Sequence, residues 1–128
     1  MTEDSKAPSK RQLGAVGEDM ATAYLQRQGY DILGRNMNCR YGEIDVVAQK
    51  GKALYFVEIK RRIGAAYGSA LLAVSPTKIK RIKKSAHHFL FRNPEWQKLI
   101  PYFSVLAIDE DPTGARAAQI EFLPDAFW

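Results

Sequence analysis

The sequence predicts an α/β sandwich, a mixed central sheet with helices covering it. Three observations carry that expectation. Gln12–Gln28 and a second stretch opening at Ser75-Pro76 repeat apolar residues at helical spacing. Between them Gly42–Arg62, GEIDVVAQKGKALYFVEIKRR, alternates like two strands around a tight turn. Two more strand-like runs follow the second helix, so the order is helix, three strands, helix, two strands.

A chain of 128 residues suits one domain with a real core, expected over 13–128 behind a polar, mobile tail at 1–12. No apolar run approaches membrane-spanning length, and MTEDSKAPSKRQ lacks the apolar core of a signal peptide. Cys39 is the only cysteine, which excludes an internal disulfide and fits a reducing compartment. The expectation is a cytoplasmic protein with no membrane partner, in which Cys39 is a small, partly buried side chain.

In the first helix Leu13, Gly17, Met20, Ala21, Tyr24 and Leu25 form the apolar stripe, and Gly29 ends the run as a C-terminal cap. Glu18 sits at the edge of that stripe with Thr22 on its polar side; taken alone it reads as a boundary residue turned to solvent. Tyr30–Leu33 reads as a first strand and Asn36–Tyr41 as a polar connection. The hairpin follows. Ile63 to Val74 has glycines and small residues but no clean period, and reads as a loop.

The second helix begins with Ser75 as N-cap and Pro76 in the first turn, and closes at Asn93-Pro94. Ile79, Ile82, Ala86, Phe89 and Leu90 make its buried stripe. His87 and His88 are adjacent and point about 100° apart, so they do not form a zinc site and read as surface or boundary residues. Tyr102–Ile108 is a buried strand, 109–114 a turn and Gln119–Leu123 a last strand, with Phe127 and Trp128 expected to dock on the body.

Four charges inside the hairpin are informative: Glu43, Asp45, Glu58 and Lys60. With Lys50-Gly51 as a two-residue loop, 49 faces 52, 45 faces 56 and 43 faces 58. Glu43, Asp45 and Val47 then share a sheet face with Leu54, Phe56, Glu58 and Lys60, while Ile44, Val46 and Ala48 take the other. A three-residue loop would split the charges. Asp45 and Glu58 become diagonal neighbours with backbones about 7–8 Å apart, a separation that could hold one small hard cation. Lys60 could activate water or offset charge on a phosphate. The competing reading is a solvated hairpin face with a Glu58–Lys60 pair; Leu54 and Phe56 on the same face weigh against it.

The chain carries +5, but between Ile59 and Pro94 there are nine cationic residues and no acidic one, which leaves −4 for the rest. A basic helix face is often only solvated. Here the lack of interleaved carboxylates favours a polyanion, with Arg61, Arg62, Lys78, Lys80, Arg81, Lys83 and Lys84 as phosphate contacts.

Asp45 in one strand, Glu58-Ile59-Lys60 in the next and Glu18 on the preceding helix resemble the PD-(D/E)xK, or restriction-endonuclease-like, nuclease fold, with the order of parts of archaeal Holliday-junction resolvases. The chain is more closely similar to the YraN family of small bacterial proteins. That likeness is carried by Gly17-Glu18, Ala21, Leu25, Gly29-Tyr30, Asn36, Gly42-Glu43-Ile44-Asp45 and Phe56-Val57-Glu58-Ile59-Lys60. Tyr67-Gly68-Ser69, Ala73-Val74, Lys78, Arg81 and Ala126-Phe127 extend it over nearly the whole chain from Gly14. Asn38 and Ser104 depart from the pattern, where a basic residue and an aspartate are expected.

The resemblance implies a phosphodiesterase using Mg²⁺ or Mn²⁺. Asp45 and Glu58 would be ligands, with the Ile59 carbonyl as a third. Lys60 would position or activate water, Glu18 would complete the acidic cluster, and Glu43 would support the site from outside or serve structure. The expected function is a metal-dependent endonuclease on DNA, branched or single-stranded. The alternatives are a nucleic-acid-binding module without catalysis and a protein-interaction adaptor, which the 63–74 loop and aromatic C-terminus would serve. An open hairpin edge would allow a homodimer.

Overall fold

The structure, a computed structural model, describes residues 10–64 and 74–127, with side chains described from residue 15. Helix α1 spans Lys10–Arg27, strands β1, β2 and β3 span Asp31–Cys39, Gly42–Lys50 and Ala53–Ile63, and helix α2 spans Pro76–Arg92. A short 3₁₀ turn, Pro94–Lys98, leads into β4 (Ile100–Glu110) and β5 (Gln119–Phe127). The strands form one sheet in the order β1-β2-β3-β4-β5. Only β3 and β4 are parallel. Parallel neighbours need a crossover, and α2 supplies it. The result is the expected α/β architecture, a five-stranded mixed sheet between two helices with a restriction-endonuclease-like arrangement. No helix among the described residues is long and apolar enough to cross a membrane.

Each helix covers its own face of the sheet. Ala21 and Leu25 of α1 pack with Val46, Ala48, Val57, Leu106 and Ile108. Ile82, Ala86 and Phe89 of α2, with Trp96, pack on Ile44, Val47, Leu54 and Phe56. Cys39 is partly buried against this second core, the role the sequence suggests for it.

The helix ends follow local chemistry. At α1 the Tyr30 amide donates to the Leu25 carbonyl and the Gly29 amide to that of Gln26, with Gly29 at φ 91°. This closure needs a left-handed residue, hence glycine. At α2 the Ser75 hydroxyl accepts from the Lys78 amide and Pro76 occupies the first turn. Ser85, absent from the expected apolar stripe, is fully buried within it.

The strands run longer than their apolar runs suggest. Asn36–Cys39 is strand, not connection, because pairing with β2 satisfies its backbone whatever its side chains expose. β5 continues through Pro124 to Phe127, whose ring stacks on Phe103 at 5.9 Å. Proline is tolerated there because β5 is an edge strand. Ser104 is buried and donates to the Pro124 carbonyl at 2.6 Å, beside a register shift in the β4–β5 ladder. Residues 1–9, most of the expected 63–74 loop with its Tyr67-Gly68-Ser69 motif, and Trp128 lie outside the described residues.

Candidate functional site

The β2–β3 turn is Gly51-Lys52, one residue later than expected, since Lys50 pairs with Ala53 and Gln49 with Leu54. Gly51 sits at φ 60°, the left-handed value a tight hairpin requires. Moving the turn by one residue slides the register by two, so the faces survive along the paired stretch from Val46 to Lys50 while the partners change. Val47 pairs with Phe56 and Val46 with Val57, where the ladder ends. Asp45 and Glu58 are the next residues past that last pair, so this register does not make them the expected diagonal neighbours.

At that step the two strands part. The Ile59 amide donates to Asp45 Oδ2 at 2.8 Å, a side-chain bond where the ladder would have offered a carbonyl. β2 also breaks its alternation here. Ile44 packs in the core under α2, whereas Val46 and Ala48 pack under α1, so the expected Ile44–Val46–Ala48 face does not exist. This irregularity holds the Asp45 carboxyl at the mouth of the parting strands.

Glu58 is only 3% exposed and is met by two lysines, Lys78 Nζ at 3.1 Å from Oε1 and Lys60 Nζ at 3.9 Å. Burial pushes the Asp45 carboxyl up to about 8, helped by the negative charge of Glu58 and opposed by the Ile59 amide. Burial also raises Glu58, against the pull of Lys78 and then Lys60. Exposed Glu43 adds its charge to both. A buried carboxyl beside a half-buried one is costly to ionise twice over, a cost that a bound cation would relieve. The donors are hard oxygens, the ligands that Mg²⁺ or Mn²⁺ takes, and Asp45 and Glu58 fit that group.

Not every expected member gathers here. The Glu18 carboxylate accepts from Asn36 Nδ2 at 2.5 Å and lies 3.5 Å from the Arg35 guanidinium, which bonds Asp19 at 2.7 Å. Asn36 adopts φ 50°, which asparagine tolerates. Glu18 thus ties α1 to β1 and does not turn out to solvent. Among the described residues no three His, Cys, Asp or Glu side chains form a metal-holding group. Ile59 joins Asp45 through its amide.

The expected basic face also divides. Arg61 makes a two-bond pair with Glu110 at 2.9 and 3.0 Å, tying β3 to β4. Lys78 belongs to Glu58. Lys83 lies over the Phe103 ring, 6.0 Å from its centre. Arg62, Lys80, Arg81 and Lys84 remain on the exposed surface. Lys78 is the residue whose place at the carboxylates sequence reading missed. It lies twenty residues beyond Glu58, and only the crossover returns it. Asn38 is exposed and donates to the Asn36 carbonyl at 3.1 Å.

Fold and site together define a restriction-endonuclease-like α/β protein with a carboxyl pair, Glu58 buried and Asp45 half-buried, and a lysine where its central hairpin opens. The chain belongs to the Uncharacterised protein family UPF0102, the YraN family, whose model matches residues 17–108. That span includes Asp45, Glu58, Lys60 and Lys78. Among its relatives, a UPF0102 protein of Geobacter sulfurreducens is 52% identical, over 90% of this chain and 88% of the relative. One from Syntrophus aciditrophicus is 43% identical over 89% and 87%. One from Shewanella sediminis is 37% identical over 97% and 98%.

Proposed function

We propose that this protein is a divalent-metal-dependent nuclease that hydrolyses phosphodiester bonds in DNA, acting in the reducing cytoplasm. The observation that carries this reading is half-buried Asp45 beside buried Glu58 just past the end of a ladder, with the Asp45 carboxyl pushed up to about 8 by desolvation and the Glu58 charge. Keeping two carboxyls there costs stability, and a fold retains such a cost where a cation is to be bound.

Asp45 and Glu58 would hold Mg²⁺ or Mn²⁺, which when bound supplies positive charge to the reacting phosphate and makes water a better nucleophile. The Ile59 amide holds Asp45 in its orientation. Lys60, with a side chain 22% exposed and Nζ 3.9 Å from Glu58, can reach outward to orient water or offset charge on the phosphate. Lys78 neutralises Glu58 and would yield as the cation binds. Arg62, Lys80, Arg81 and Lys84 would meet the backbone phosphates.

One observation favours a second reading, a binding module without catalysis. Lys78 Nζ is 3.1 Å from Glu58, so the chain already supplies a cation to the pair. Cleavage decides between them. Duplex, single-stranded, flap and four-way-junction DNA, with RNA, are incubated with Mg²⁺, Mn²⁺ or EDTA beside Lys60→Ala. The nuclease cuts with metal and not with EDTA, and Lys60→Ala loses about 100-fold or more in rate while still binding. A Lys60→Ala variant that cuts as fast as wild type refutes the assignment. Binding without cutting under every condition moves it to the binding module.

A further inference from the structure

We propose that the C-terminal half of α2 and the β1–β2 turn form a groove for an unpaired stretch of DNA, in which a base stacks on Phe91 while flanking phosphates meet Arg40, Lys84 and Arg92. This rests on the nucleic-acid reading above and adds to it a substrate class.

Phe91 is 83% exposed, the most of any large hydrophobic residue among those described. An isolated aromatic of that exposure is unfavourable in water, and Phe91 is not isolated. It borders a groove of about 750 Å³ whose other walls include Arg40, Tyr41, Lys84, His88 and Arg92. No carboxylate lines it. The wall opposite the helix is braced. The Arg40 guanidinium lies 4.9 Å over the Tyr41 ring and donates to its hydroxyl at 2.7 Å. Tyr41 also meets His88 edge to face at 6.2 Å. Aromatic faces interleaved with fixed positive charge suit a strand whose bases are free to stack and whose phosphates need neutralising.

The helix geometry links this groove to the carboxyl pair. Lys84, His88 and Phe91 are spaced four and seven residues from the first, which sets them on one stripe of α2. Lys80 and Arg81 continue the stripe toward the helix start, and there Lys78 touches Glu58. The thirteen residue steps from Lys78 to Phe91 span about 20 Å of helix. A strand anchored at Phe91 can follow the cations to Asp45 and Glu58. Duplex DNA keeps its bases stacked on one another, so only an unpaired base can lie on this ring.

The test is binding measured by fluorescence anisotropy in EDTA, where nothing is cut. The probes are an oligothymidylate, an abasic strand of equal length and a blunt duplex. Phe91→Ala is expected to weaken the oligothymidylate about 5- to 150-fold and leave the abasic strand and duplex unchanged. Phe91→Tyr, which keeps a ring, retains wild-type binding and controls for folding. Lys84→Ala weakens the oligothymidylate and the abasic strand alike. If Phe91→Ala binds oligothymidylate as wild type does, or loses the abasic strand equally, the groove is refuted while the nucleic-acid reading stands. Wild-type protein that binds none of the probes overturns both.

Discussion

Replacing Asp45 by asparagine in metal-free protein should make stability less dependent on pH. Burial and the Glu58 charge raise the Asp45 carboxyl from 3.8 to about 8. An acid raised on folding keeps its proton in the folded state and loses it in the unfolded one. The stability it contributes is full below the unfolded value and is lost as pH rises through the folded one. Between those limits the loss is about 1.4 kcal/mol per pH unit for one proton. From pH 5 to 7 the wild type should therefore lose about 2–3 kcal/mol relative to Asp45→Asn. Asparagine keeps an oxygen to accept the 2.8 Å bond from the Ile59 amide, so the comparison removes charge and little else.

The assay is urea unfolding in EDTA at several pH values, with the difference in unfolding free energy plotted against pH. A rising difference supports the buried pair. Mg²⁺ added at pH 8 should stabilise the wild type and leave Asp45→Asn nearly unmoved, since a cation replaces the missing proton. A constant difference between the two proteins across the pH range would refute the reasoning, for it would mean that Asp45 titrates alike folded and unfolded.

Two other outcomes test the frame around the site. Ser75→Ala removes the hydroxyl that accepts from the Lys78 amide at 3.2 Å and should cost about 1 kcal/mol by urea unfolding; an unchanged midpoint would deny the cap a role. Glu110→Gln takes the charge from the two-bond partner of Arg61 and should cost about 1–3 kcal/mol. Its melting temperature should fall in low and high salt alike, because both side chains are largely buried.

Signals that act within a few residues were legible from the sequence. Ser75-Pro76 and Asn93-Pro94 bound α2, and Gly29 closes α1, because caps and prolines act on the nearest backbone groups. The nearness of Glu58 and Lys60 was legible too, because residues two apart on a strand share a face. A two-residue turn preserves side-chain parity even when its position moves by one, as it does here from Lys50-Gly51 to Gly51-Lys52, but the break in β2 between Ile44 and Val46 lay beyond its reach. β1 was less legible. An edge strand can carry Arg35, Asn36 and Asn38 outward while its backbone pairs with β2.

What the sequence by itself determined is the α/β order of elements and the carriage of Asp45, Glu58 and Lys60 on one hairpin. Only the tertiary structure decided that the Ile59 amide holds Asp45, that Ile44 turns to the α2 core, and that Lys78 reaches Glu58. It also gave Glu18 to Asn36 and Arg61 to Glu110. The physical reason is range. Propensity, capping and alternation are set by neighbouring residues, whereas a carboxyl's partner depends on which strand or helix the folded chain returns to its side.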